Sequence, residues 1–443
     1  MSIYAGSSKI KSLKISSNYG KSVDIAGGVT SMCYFESVFD LSVRCTINVI
    51  DAGFRSGQGK VGALEEDDLN LTVGEDITMK LEDNFENPLE GDLVIQNVGN
   101  IIEHTQYNGY TIHCYSKECV HNEFVENRVV KRYDGKITDY ISSIITENLK
   151  TDKEIKVDPC LNEFNFIGHV QKPFYIIPWL AKRTVPDMGS FGDLAGYLFW
   201  ETSKGYNFRS IDMIFKEKNI VKKFVFTNTF RTPGQYDGSI LDYSWSENID
   251  LESKLLTSAY NPSQQRTFNA YDNEYIETAF DPKVQFGENI GGLEQPKINA
   301  IAGKASRIAS NWVDVGVLPK GSNLKKQLEK SKDELNFDID KILRQSFARY
   351  NNLFSHKLTI KIPGDFTINA GDLVSCDFPE ISDKINQAIS RKKSGIYMVI
   401  DVSHYITPNG TFTGLNLARE SIYREPISSP SGKSKNSNDA VSL

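Results

Sequence analysis

The chain has 443 residues, 57 of them Asp or Glu against 50 Lys or Arg, for a formal charge of −7, and 40% of it is hydrophobic. That length accommodates about two to four domains. The acidic balance argues against a nucleic-acid-binding surface as the main business, because phosphate contact needs a basic stripe and no dense Lys/Arg run interleaved with aromatics occurs.

In chain order, residues 1–20 are polar and lack the apolar stretch of an export signal, and no apolar run approaches the roughly 18 residues of a membrane span. Cys33, Cys45, Cys114, Cys119, Cys160 and Cys376 are too sparse for a disulfide scaffold and are expected reduced and packed as small hydrophobes. Residues 1–122 are predicted to form a first β-domain, with Glu65-Glu66-Asp67-Asp68 as a solvated turn. Residues 123–235 read as an α+β insert. Ile137, Tyr140, Ile141, Ile144, Ile145 and Leu149 fall at helical spacing there. Pro178 suits the first turn of a short helix to Arg183. Gly196 to Glu201, a turn over 203–206, and Phe208 to Phe215 read as a hairpin.

A second β-domain is predicted over 236–265 and 354–427. It is interrupted by 266–353, which carries a candidate strand at Tyr271–Phe280, an unassigned stretch at Ile298–Val317, and a long amphipathic helix from Leu324 to Leu353. Residues 428–443 are Ser-rich and read as a flexible tail. The expected fold class is α+β, mainly β: two similar small antiparallel β-barrel domains with α+β inserts.

The two β-domains share an order of pieces. Gly74 to Leu81 matches Gly371 to Phe378 without a gap. Leu93 to Ile102 lies over Tyr397 to Ile406, and Tyr110 to Lys117 over Phe412 to Arg419. Upstream, Tyr34 to Asp51 fits Ser244 to Asn261, pairing Phe35 with Trp245. Duplication competes with two unrelated β-domains that merely share the period-two pattern of half-buried strands.

Signals for chemistry are weak. Cys114, Cys119 and His121, with His113 and His104 nearby, fit no familiar zinc spacing, and His113 and Cys114 face opposite ways on a strand. The glycines Gly189, Gly192 and Gly196 lack the Lys-Ser/Thr of a phosphate loop, and no Gly-x-Ser-x-Gly elbow occurs. Glu201, the pair Glu274 and Glu277, and the pair Asp338 and Asp340 are carboxylates whose separation decides any glycosidase role. His169 and His404 sit among apolar neighbours, as satisfied core histidines do. No catalytic, cofactor-binding or metal residue is nominated.

The segment NFIGHVQKPFYIIPWLAKRTV (165–185), followed by GYLFWETSKGYNFRSID (196–212), resembles the central hub protein of contractile-tail baseplates, a family that includes the hub portion of type VI secretion spike proteins. The match lies in Ile177 to Ala181, Gly196 to Glu201 and Gly205 to Asp212, and the closing GIYMVIDVSHYITPNGTFTGLNLARES (395–421) is similar to that family's last strands. Pro178 departs from the pattern, and no needle domain follows, which favours a phage-type hub. The resemblance implies a non-enzymatic homotrimer in the virion tail, assembled in the host cytoplasm. It implies a ring that adapts a sixfold tail tube to a threefold central spike and leaves a channel for DNA. Tail tube, spike, baseplate wedge and tape-measure proteins would be its partners. Two readings from other classes stay open: a tail-tip peptidoglycan hydrolase, and a receptor- or glycan-binding tail protein using Trp245 and Trp312 as stacking platforms.

Overall fold

The computed structural model describes residues 8–52, 64, 69, 71–104, 107–187, 196–227, 238–247, 252, 263–270, 273–280, 307–312, 317, 323–333, 355–380, 389–390 and 392–419. Calls on Glu65–Asp68, Gly189, Gly192, Asp338, Asp340 and the Ser-rich tail lie outside these residues. No helix among the described residues is long and apolar enough to cross a membrane.

The chain opens with β1 (Lys9–Ser16), β2 (Ser22–Asp24), β3 (Val29–Ser37), β4 (Arg44–Asp51), β5 (Asp76–Glu82), β6 (Pro88–His104) and β7 (Tyr107–Ser116). Alternation decides their faces. Leu13 and Ile15, Cys45, Ile47 and Val49, and Ile77, Met79 and Leu81 are buried, while the residues between them face outward.

Next come α1 (Lys117–His121), β8 (Arg132–Tyr133), α2 (Ile137–Leu149), β9 (Glu154–Val157), β10 (Phe166–Ile167), α3 (Pro173–Ala181), β11 (Tyr197–Thr202), β12 (Gly205–Ser210) and α4 (Ile211–Glu217). The six apolar positions predicted for α2 are all buried, and the helix stops at Lys150 in the left-handed region. Around them Tyr133, Phe164, Phe166, Ile176, Leu180, Phe199 and Phe208 close a core of their own.

Two local expectations are corrected here. Pro173, not Pro178, opens α3, and Pro178 sits inside it. The missing N–H costs one helical bond, but Ile176, Ile177 and Leu180, each 0% exposed, hold the turn by burial. The second strand of the hairpin ends at Ser210 rather than Phe215. Ile211, Ile214 and Phe215 bury at helical rather than alternating spacing, and Asp158 accepts the Ser210 N–H at 2.9 Å where the strand gives way.

The remainder holds β13 (Ile220–Val225), β14 (Asp242–Glu247), β15 (Ser263–Asn269), β16 (Glu274–Phe280), β17 (Arg307–Trp312), α5 (Leu324–Asp333), β18 (His356–Pro363), β19 (Leu373–Asp377), β20 (Gly395–Thr407) and β21 (Gly410–Arg419). The predicted strand at Tyr271–Phe280 contains β16, described from Glu274 to Phe280. The stretch left unassigned contains β17, which pairs in parallel with β15. The predicted helix from Leu324 is described only as far as Asp333.

Among the described residues thirteen strands form one sheet, and the same pairing order occurs in it twice. In the first part β3–β4–β7–β6–β5 are antiparallel neighbours, and in the second β14–β18–β21–β20–β19 are. The likeness extends to irregularities. A bulge separates Ile95 from Asn97 against β7, and another separates Val399 from Asp401 against β21. Gly74 (φ 84°) donates to the Ile95 carbonyl and Gly371 (φ 92°) to that of Val399, both at 2.8 Å. The return bonds, Ile95 N–H to Glu75 and Val399 N–H to Asp372, are also present.

This register corrects three of the sequence matches. Cys114 opposes Ile95 as Leu417 opposes Val399, so Cys114 corresponds to Leu417 and not to Asn416. Tyr34 opposes Cys45 as Trp245 opposes Leu358, so Trp245 corresponds to Tyr34 and not to Phe35. A one-residue slip in a strand turns every side chain to the wrong face. The counterpart of β4 is β18, more than a hundred residues beyond β14, and not the segment directly after it. The sixth strands differ: β1 runs antiparallel to β5, whereas β13, expected in the insert, runs parallel to β19 in the main sheet. A bridge from Val225 to Ser239 links β13 to the segment entering β14.

Candidate functional site: the junction of the repeats and the insert

The two repeats join where β20 pairs antiparallel with β3, from Asp401 opposite Ser37 to Ile406 opposite Met32. Their interiors interlock at this joint. Phe366 and Ile406 belong to the core of the first repeat, beside Leu13, Met32, Ile47 and Ile112. The second repeat packs Leu358, Ile360, Val374, Cys376, Tyr397 and Val399 around its own centre. Asp83 of the first repeat accepts the backbone N–H of Phe366 at 3.1 Å, which fixes the turn that carries that ring.

Beneath the joint lie polar groups that a purely structural core would avoid unless satisfied. Glu36, the penultimate residue of β3, is 1% exposed. Its Oε1 accepts the N–H of Ser203 at 2.6 Å and the hydroxyl of Tyr34 at 3.2 Å, and its Oε2 accepts the N–H of Ala370 at 3.1 Å. Ser203 lies in the β11–β12 turn and Ala370 in the turn before β19, so one carboxylate ties together the first repeat, the insert and the second repeat. Burial pushes its pKa up to about 7, against the downward pull of those donors. Alongside, Trp200 donates from Nε1 to the Ala370 carbonyl at 2.9 Å, and Asn369 donates to the Ser203 hydroxyl at 2.9 Å. Gly371 makes room: a Cβ there would lie 2.4 Å from Trp200 Cζ2.

A second buried cluster anchors the insert. Lys153 Nζ lies 2.7 Å from Glu118 Oε2 and 2.5 Å from Glu201 Oε1. Val43 of the first repeat donates its N–H to Glu201 Oε2 at 3.0 Å, and Thr151 donates to Glu118 at 2.6 Å. Burial raises the pKa of Glu201. At Lys153 burial works toward a lower value, but the two carboxylates outweigh it and hold the ammonium above its usual range. In the third cluster His404 Nδ1 meets Thr413 Oγ1 at 3.0 Å, with Tyr34 stacked on one side and Phe366 edge-on. Burial lowers its pKa to about 4, so the ring is neutral near pH 7.

The outer face of the sheet is polar and laced across strands. Asn48 donates to Ser31 and accepts from Thr111, both at 2.8 Å, and Thr359–Asn416–Asp401 forms a similar chain in the second repeat.

The sequence candidates scatter. Cys114 is buried and His113 on the same strand faces outward beside Thr46; His121 binds the Leu149 carbonyl at 2.7 Å; His104 stacks on Tyr107. His169 lies edge-on to Trp179. Glu277 faces Arg266 at 3.2 Å on the outlying β15–β16 pair, three residues from Glu274 and so on the opposite face of β16. Glu201 and His404 do enter the junction. Glu36, Lys153 and Glu118, which complete it, carry no motif; the only hint is a glutamate at an alternation position that should be apolar.

No family model matches the chain, and no curated protein matches it by sequence. Solved structures do. A tail protein from Neisseria meningitidis MC58 superposes over 94% of this chain and 98% of its own, with TM-score 0.51 and 10% identity. The 43 kDa tail protein of prophage MuSo2 from Shewanella oneidensis covers 93% and 99%, with TM-score 0.50 and 9% identity. A component of the E. coli type VI secretion system, described as structurally similar to phage T4 tail proteins, covers 94% and 78% at TM-score 0.42 and 8% identity. Tail proteins are thus structural neighbours of this chain, and its mainly β architecture is the fold of those two tail proteins.

Proposed function

We propose that this chain is a structural, non-catalytic hub of a phage-tail baseplate. Three copies form a ring that presents six near-equivalent repeats to a sixfold tail tube and a threefold outline to a central spike. On this reading each repeat is a small barrel, and the Val225–Ser239 bridge between β13 and the segment entering β14 supports closure of the second. The carrying observation is the five-strand register found twice, bulge and glycine included, and joined edge to edge through β3 and β20. A chain with two like units and threefold closure meets a hexagonal neighbour without symmetry mismatch. The short, hydrogen-bonded Ser, Thr and Asn side chains of the outer face suit a wall along which DNA slides in transit. On this reading the inserted unit, pinned through Glu36 and Lys153, carries the spike, wedge or tape-measure contacts. The assembled particle is a virion component.

Native mass spectrometry tests the reading. The expected species is three times 49.8 kDa, with sixfold-like inner density in negative-stain averages. A monomer at micromolar concentration that stays monomeric with a spike protein overturns it.

One observation favours a second role. Tyr275, Phe268 and Trp312 stand in register across β16, β15 and β17, with Tyr275 52% and Trp312 67% exposed. Such a row fits a sugar-stacking platform on a receptor-binding arm. Loss of glycan-array binding in Trp312→Ala supports it; binding unchanged in that variant, or absent in the wild-type chain, removes it.

A further inference from the structure

We infer that a second copy of this chain adds its β14 to the open edge of β6, in the register that β3 and β20 use within one chain. This rests on the ring reading and names the strands and residues that make the ring.

Because β20 corresponds to β6 and β3 to β14, the internal joint has a second pair of halves. Among the described residues both are open. β5 covers β6 only as far as Val94, leaving the edge from Asn97 to His104 that faces away from β7 without a strand, and β14 pairs on one side only, with β18. Exposure marks the missing neighbour. Val402, at the internal joint, is 0% exposed, whereas its counterpart Val98 is only half-buried. Tyr34 is fully covered, but its counterpart Trp245 is only half-buried. The run Asn97-Val98-Gly99-Asn100-Ile101-Ile102 carries no charge and no proline, the usual guards of an unpaired edge. An edge so left is a template for an added strand.

The register follows from the repeat. Val402 faces Glu36 and Ser403 faces Phe35, so Val98 is to face Glu247 and Gly99 to face Ser246. Beyond Gly99, β6 holds one extra residue. Gly99 pairs with Thr111 but Ile102 with Gly109, and Asn100 takes a φ of 46° to absorb it. Ile102 therefore stands where Tyr405 stands in β20 and is to face Ser244, as Tyr405 faces Cys33. Each copy offers one edge of each kind, so the contact is head-to-tail and closes into a ring.

The experiment is disulfide trapping on the full chain. Ile102→Cys with Ser244→Cys places thiols opposite each other in this register; Ile102→Cys with Glu247→Cys is shifted by three residues onto the other face, and each single variant controls for native thiols. The in-register pair should give covalent dimers and trimers on non-reducing gels at least about tenfold faster than the shifted pair. Ile102→Lys, exposed in the single chain, should weaken association by about tenfold or more, equivalent to about 1.4 kcal/mol, without lowering the melting temperature of the isolated chain. Trimers by native mass with no preference for the in-register pair overturn the edge assignment and leave the ring standing. Monomers alone overturn both.

Discussion

At the scale of single residues, the junction is defined by groups whose chemistry is set by burial. Glu36 is the sharpest case. Its carboxyl titrates near 4.5 when unfolded and about 7 when folded, so the native state is penalised for ionising it. The contribution is absent below about pH 4.5, grows as pH rises, and is complete above about pH 7, amounting to roughly 3 kcal/mol. His404 acts in the opposite sense, since its depressed pKa costs stability as pH falls from about 6.5 toward 4. Subtracting a Glu36→Gln variant from the wild type cancels the histidine. That difference in urea midpoint should move against the wild type as pH is raised from about 5 to about 8, and a flat difference would refute the buried titration. The two equivalent glycines give a matched pair. Both hold positive φ, so alanine at Gly74 should cost about 1 kcal/mol from strain alone, nothing lying within 4 Å of its Cβ. At Gly371 the same change also drives a methyl into Trp200. Its cost in thermal or chemical denaturation should exceed that at Gly74 by about 2 kcal/mol or more.

At the scale of elements, the insert is held by one lysine between two carboxylates. Replacing Lys153 by Met leaves Glu118 and Glu201 facing each other without a counter-charge, 6% and 1% exposed. Removing one partner of such a group costs about 3–5 kcal/mol. The loss should ease as the pH is lowered and one carboxylate takes a proton. Hydrogen exchange should localise it to α1 and β11, and uniform loosening of all strands would contradict the anchoring role. Much at this scale was legible in the sequence. The apolar spacing of α2, the Trp200 hairpin and the order of the repeated strands follow from periodicity, because burial of one face leaves a visible pattern. The register did not follow. Tyr34 and Phe35 are both aromatic and adjacent, so pattern alone cannot say which one answers Trp245; the bulge at Ile95 and Val399 decides it, and bulges leave no period. That β18 is the counterpart of β4 does not show in the sequence, because the insertion after β14 breaks the gap-free match. The junction was least legible of all. Glu36, Lys153 and Glu118 lie far apart in sequence, and ordinary charged residues become unusual only when the fold buries them.

At the scale of the whole molecule, the question is whether the repeats behave as beads or as one body. The thirteen-stranded sheet runs through the joint without a break, Phe366 of the second repeat lies in the core of the first, and the Asp83 carboxylate holds the Phe366 backbone. Those links make separation expensive. Pulling the repeats apart would expose six residue pairs of the β3–β20 ladder and leave a cavity where Phe366 sits. The chain should therefore unfold its two repeats in a single transition, with β3, β20 and the strands that flank them, β4 and β21, exchanging amide protons at a common free energy. Phe366→Ala tests the coupling, because the side chain belongs by sequence to one repeat and by packing to the other. It should cost about 3–5 kcal/mol, and the loss should appear as faster exchange in β1, β4 and β5 of the first repeat as much as in β18 and β21 of the second. Damage confined to the second repeat would show that the joint is a hinge. A hinge between the repeats could not hold six units at fixed angles around a channel, whereas a rigid joint transmits the geometry of one pairing to the next.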